Sequence, residues 1–146
     1  MDWKIEATDK LKQYEAKRQS LQIIPLEIAQ IESTMTGIRS ARTDSIAIRN
    51  SGGNAHENMM LSCIVRKEEL QRNFEQAGLW VDAVTAALDV LSDAERKILD
   101  RMYIHREKKA ADRLAGELFV DIATVYRWKD DALRKFTIAL YGCSES

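Results

Sequence analysis

The chain has one proline and 6 glycines in 146 residues. Proline removes a backbone donor and clashes with the preceding turn, so a chain with so few breakers has room for long helices. The two cysteines, Cys63 and Cys143, are far apart. They have no metal-ligand spacing and suggest no disulfide framework, so a reducing cytoplasm is the expected compartment. The two histidines, His56 and His105, have no second ligand at useful spacing, and no metal site is expected. His105 is expected to meet helix-end carbonyls or water. No apolar run approaches the ~20 residues of a membrane span. The opening MDWKIEATDK is charged and lacks an apolar signal core. Charge of either sign is not in excess: 22 Lys and Arg against 23 Asp and Glu leave a net charge of −1. From Ser92 onward the balance is 11 basic and 10 acidic residues, or +1. A generic basic nucleic-acid glue is thereby excluded. Gly52-Gly53 has neither the Lys and Ser/Thr nor the strand of a phosphate loop. The carboxylates of Arg66-Lys67-Glu68-Glu69 and Lys129-Asp130-Asp131 lie among basic neighbours and read as solvated charge. Trp80 and Trp128 suit core or interface anchors. No cofactor and no enzymatic activity are expected.

What is present is helical pattern. Hydrophobic residues make up 45% and charged residues 31% of the chain, a globular balance. From Trp3 to Ile38, apolar residues recur in steps of three and four: Trp3, Ala7, Tyr14, Leu21, Ile24, Ile28, Ile31, Met35 and Ile38. Lys10 and Lys17 interrupt the stripe, with Leu11 and Ala16 beside them. Pro25 predicts a kink near Leu21 to Ile24, or two helices; the unbroken register favours the kink. Residues 39–54 (RSARTDSIAIRNSGGN) read as a linker, made basic by Arg39, Arg42 and Arg49. A second stripe runs through Met59, Met60, Cys63, Leu70, Phe74, Ala77, Val81, Val84, Leu88 and Leu91, with Lys67 as its polar exception. Two long amphipathic helices joined by one loop predict an antiparallel hairpin over residues 1–91. A lone hairpin leaves both stripes poorly covered, so self-association, with a dimer favoured, is expected of it.

Leu91 to Leu140 reads as three helices with a tight turn before the last, the layout of a helix-turn-helix DNA reader. Ser92 and Glu95 form a capping box for the first. Its apolar side is Ile98, Leu99, Met102 and Tyr103. The second helix, about Ala110 to Leu118, turns Ala111, Leu114, Ala115 and Leu118 inward. Small Ala115 suits a close helix crossing. Asp121 caps the third, whose inward side is Val125, Trp128, Ala132, Leu133, Phe136 and Leu140. Ile122, Ala123, Tyr126, Arg127 and Asp130 are then left facing out near its start, where a recognition helix presents base-reading residues. Thr124, Lys129, Arg134 and Lys135 are expected to position phosphates or the flank. Lys108, Lys109 and Arg113 are expected to meet the backbone from the second helix.

The stretch RLAGELFVDIATVYRWKDDALRKF resembles the C-terminal promoter-reading region of bacterial sigma factors, above all in Ala132-Leu133-Arg134-Lys135-Phe136. LSDAERKILDRMYI is similar to that family's preceding helix. The whole chain resembles small sigma-like regulators of phages and prophages, the ArpU type. The resemblance implies an all-α fold: a helical hairpin at 1–91, a sigma-like helix-turn-helix at 92–141 and a tail at 142–146. It further implies a DNA-binding transcription regulator that docks on double-stranded DNA, with RNA polymerase as a partner. Phe119 stands where many such motifs have glycine, which points to a rebuilt turn. Two other readings fit the same pattern: a DNA-packaging recognition subunit of the small-terminase kind, and a helical interaction protein with no nucleic-acid role.

Overall fold

A computed structural model describes residues 2–44 and 51–145, with the side chains of 42–44 and 51–53 excepted. Those residues are all-α. In order they form α1 (Trp3–Asp44), α2 (Ser51–Asp89), α3 (Asp93–Leu99), a π-helical turn (Asp100–Ile104), α4 (Ala110–Leu118) and α5 (Ile122–Tyr141). Pro25 lies inside α1, which is one helix and not two. Of the expected linker at 39–54, residues 39–44 and 51–54 are helical. α1 runs on to Asp44 and α2 starts at Ser51. Arg, Ser, Thr and Ala each cost at most about 0.7 kcal/mol in a helix interior, too little to end one without a proline. Residues 45–50, including Arg49, lie outside the described residues, as does the side chain of Arg42.

The chain forms two compact units. One joins Met1–Arg18 to Leu79–Ser146; the other is Gln19–Gly78. This division differs from the expected boundary at Leu91, because the start of α1 and the end of α2 group with the three C-terminal helices.

In the first unit, the start of α1 and the end of α2 run antiparallel. The Tyr14 hydroxyl lies 2.6 Å from Thr85 Oγ1, and the Lys17 ammonium sits 4.7 Å from the Trp80 ring centroid. Ala7, Leu11, Tyr14, Val81, Val84, Ala87, Leu88 and Leu91 are buried. Leu11, expected beside the stripe, is a full member of it. The Trp3 and Tyr141 rings approach to 4.8 Å, which ties α1 to the end of α5.

α3 opens on the expected capping box. Glu95 N donates to Ser92 Oγ over 3.2 Å, and Ser92 N donates to Glu95 Oε1 over 3.1 Å. The helix then widens, with His105 N donating to Asp100 O over 2.7 Å, five residues back. Such a turn shifts the helical phase, and Met102 and Tyr103 end up half-buried, not fully inward. Ile98, Ala111, Leu114 and Val125 form the core where α3, α4 and α5 meet, with Met102, Ala115, Leu118 and Val120 packed around it. Each fully buried large side chain here contributes on the order of 1.5–3 kcal/mol. On α5, Ala132, Leu133, Phe136 and Thr137 are also buried. Trp128, expected inside, is 37% exposed. At about 100° per residue, the buried positions centre near Lys129 and Phe136, and Trp128 falls at the edge of that stripe.

In the second unit α1 and α2 are joined by an ion pair, Lys67 Nζ to Glu32 Oε1 at 3.0 Å. Among its described residues, Met35 and Ile38 are the buried hydrophobic ones. Leu21, Ile24, Ile28, Ile31, Met60, Cys63, Leu70 and Ala77 are half-buried. Met59 and Phe74, expected inward, are exposed, as are Ile23, Leu26, Leu61 and Val65. Two helices can cover only a narrow seam of each other, so neighbours of the seam stay open to water.

Candidate nucleic-acid interface

The start of α5 is fixed from two sides. Asp121 caps it by accepting from Thr124 N over 3.0 Å. Hydrogen bonds from the Thr124 side chain and backbone, and the charge of Arg127, hold the Asp121 carboxyl below its ordinary range against a weaker desolvation effect. From the other side, Val125 is fully buried in the core. With both anchors in place, Ile122, Ala123, Tyr126, Arg127 and Asp130 are all exposed. All five positions expected to face outward are exposed.

The turn before it is not rebuilt. Phe119 itself takes the left-handed conformation, φ 58° and ψ 42°, as the C-cap of α4. Val120 N closes the turn by donating to Ala115 O over 3.1 Å.

The other candidate residues fall into separate places. The Arg127 guanidinium donates to Thr124 Oγ1 over 3.0 Å, folded along its own helix. Lys129 pairs with Asp130 at 2.9 Å and lies 5.8 Å from the Tyr126 ring centroid. Burial pulls the Lys129 ammonium down, but the Asp130 hydrogen bond and the charges of Tyr103, Asp130 and Tyr126 outweigh it, so its pKa is raised. Lys135 is on the opposite flank of α5. It pairs with Glu95 at 3.0 Å and lines a cleft with Ser92, Trp128 and Asp131. Arg134 is exposed. On α4, Arg113 pairs with Glu107 at 3.5 Å, and exposed Lys108 and Lys109 precede the helix, with Lys109 at φ 54°. Lys97 and Arg101 are turned inward to Glu117, at 2.9 Å and 2.7 Å, bracing α3 and its π turn against α4.

His105 differs from expectation. Its Nδ1 lies 2.7 Å from Asp100 Oδ1 and its Nε2 3.4 Å from Glu15 Oε2, so carboxylates and not helix-end carbonyls receive its side chain. Two further basic residues lie near the exposed face of α5. Lys12 and Arg106 share an open groove with Lys109, Tyr126 and Lys129. Arg106 was signalled by the basic run with Lys108 and Lys109, whereas Lys12 lies on α1, and no local pattern connects it to α5. Among the described residues, no group of three or more His, Cys, Asp or Glu is placed to hold a metal ion, and no helix is long and apolar enough to cross a membrane.

Comparison with protein-family models, with curated proteins and with solved structures finds no match to this chain.

Proposed function

We propose that the chain is a DNA-binding transcription regulator of the sigma-like phage or prophage type, in which α4, the Phe119 turn and α5 dock on the duplex. The observation that carries this reading is the exposed tip of α5. Five side chains face solvent there over a helix start held by the Asp121 cap and by buried Val125. Side chains on a rigid element present a defined pattern to base edges. Arg127 uses one contact on Thr124, and a guanidinium has five N–H donors, enough left for the O6 and N7 acceptors of guanine. Ile122, Ala123 and Tyr126 offer apolar contact suited to a thymine methyl. RNA polymerase as a partner rests on the sequence resemblance alone. Self-association, with a dimer favoured, is supported by the apolar side chains exposed on the Gln19–Gly78 unit. Two modules held by one dimer fit a two-fold DNA site.

A second reading has one observation in its favour. Phe119, Ile122 and Tyr126 are 93%, 44% and 48% exposed, an apolar tip that also suits a groove on another protein.

Selection of bound duplexes from a random pool, with wild type and Arg127→Ala, separates the two. Loss of this side chain is expected to relax one base preference by about 1–3 kcal/mol while salt-sensitive binding persists. Unchanged affinity together with unchanged preference removes α5 as the reading face. Sedimentation tests the assembly: rings of many copies point to a DNA-packaging role, and a monomer removes the two-fold arrangement.

A further inference from the structure

We propose that the groove beside the outer face of α5 seats the sugar–phosphate backbone of the bound duplex, and that Lys12 from α1 and Arg106 are phosphate contacts in it. This rests on the DNA-binding reading above and adds the first helix to its interface.

The groove encloses about 390 Å³ and is open to solvent. Its basic side chains are Lys12, Arg106, Lys109 and Lys129; its acidic ones are Glu107 and Asp112, a balance of 4 − 2 = +2 in a chain whose net charge is −1. Glu107 is already engaged, 3.4 Å from Arg101 and 3.5 Å from Arg113. Lys12, Arg106 and Lys109 are exposed and, among the described residues, form no ion pair. Lys129 is paired with Asp130, so the positive charge of this groove that is not neutralised internally rests on Lys12, Arg106 and Lys109, in contrast with Lys97, Arg101 and Lys135.

Position adds to charge. Tyr126 belongs both to the groove and to the exposed face of α5. A strand whose bases meet that face carries its phosphates alongside it. Half or more of protein–DNA hydrogen bonds go to the backbone, and those contacts fix register. Lys12 is well placed for that task because its helix is anchored: its neighbour Leu11 is fully buried, as is Ala7. An open trough lined by dispersed cations fits an extended polyanion better than a small enclosed ligand.

The test uses the full chain and a pool of short fluorescein-labelled duplexes of random sequence, with affinity measured across a salt series. Lys12→Gln with Arg106→Gln is compared with Lys4→Gln, which removes charge from an exposed site of the same helix outside the groove. The double variant is expected to flatten the slope of log affinity against log salt by about 1.8, at about 0.9 per phosphate contact. With affinities equal at ~1 M salt, that corresponds to a roughly 60-fold loss near ~0.1 M salt. Lys4→Gln is expected to leave both unchanged, and circular dichroism to match wild type throughout. If wild type binds with its full salt slope and the double variant does too, the groove is not the seat, while the α5 reading stands. An equal loss in Lys4→Gln means net charge alone is at work and overturns the assignment. No binding by wild type removes both readings together.

Discussion

Phe119 offers a measurement of backbone strain almost free of packing effects. It is 93% exposed, so its ring contributes little to the core, yet it holds φ 58° and ψ 42° at the end of α4. An L-residue in that region costs about 1–2 kcal/mol relative to its preferred wells. Phe119→Ala removes the ring and keeps the strain. Phe119→Gly removes both, but glycine gives back about 0.5–1 kcal/mol through the greater freedom of its unfolded chain. The glycine variant should therefore be the more stable by roughly 0.5–1 kcal/mol. For a chain of 146 residues, that corresponds to a Tm higher by about 1–4 °C. Thermal and urea unfolding of the two variants side by side, followed by far-UV circular dichroism, give the difference directly. Wild type should lie close to Phe119→Ala. An alanine variant as stable as the glycine variant would falsify the left-handed turn, since only a residue outside that region is indifferent to the exchange. The same proteins bear on function. A strained, exposed aromatic at a turn costs stability, and such costs are retained where the side chain meets a partner. The glycine variant is accordingly expected to be more stable and to bind its partner less well.

Leu114→Ala should cost about 2–5 kcal/mol in urea unfolding, the range for a fully buried leucine in a core that relaxes only partly, because Leu114 has no exposed surface where α3, α4 and α5 meet; a loss under ~1 kcal/mol would mean these helices do not share one core. The pH dependence of stability should carry the mark of His105. Its pKa is raised chiefly by the hydrogen bond to Asp100, with burial opposing and the charges of Asp100 and Glu15 adding. A group whose folded pKa is raised stabilises fully below its unfolded value, near about 6.5, and that contribution is lost as pH rises through the folded value. Urea midpoints should fall over that window in wild type, modestly because the side chain is half exposed, and fall less in Asp100→Asn; parallel profiles would show that the pair is absent.

Much of the fold was legible because its signals are local. The capping box of Ser92 and Glu95, the Asp121 cap and the span of α4 each depend on residues within one or two turns. The two long stripes were legible as helices for the same reason. What escaped depends on packing, on side-chain to backbone bonding and on partners distant in the chain. Trp128 lies at the edge of the buried stripe of α5 and is 37% exposed, whereas the adjacent Lys129 is half-buried with its ammonium paired to Asp130. Thr137 is fully buried because its hydroxyl donates to Leu133 O over 2.6 Å, so the polar group is satisfied within α5 and the residue packs like an apolar one. The widened turn after Leu99 has no signature in composition. Lys12 reaches the α5 groove only because the first helix folds back on the end of the chain, which a reading that divides the sequence at Leu91 cannot foresee.

Under the DNA-binding proposal, the ion pairs also limit how strongly one copy is expected to hold a duplex. Of the 11 basic residues from Ser92 onward, Arg96, Lys97, Arg101, Arg113, Lys129 and Lys135 are each within ion-pair distance of a carboxylate. Arg106, Lys108, Lys109, Arg127 and Arg134 remain, and Lys12 joins them from α1. Six contacts at about 0.9 per phosphate would give a salt slope no steeper than about −5.4. Non-specific affinity from such a set is modest, and a second copy doubles it only if both modules reach the same duplex. Among its described residues, the Gln19–Gly78 unit has few buried apolar side chains and many exposed ones, the surface a second copy would cover. Under the DNA-binding proposal, the few unpaired cations of the C-terminal module and the uncovered faces of the long helices are linked: a single copy is expected to bind DNA weakly and a second copy to strengthen the binding.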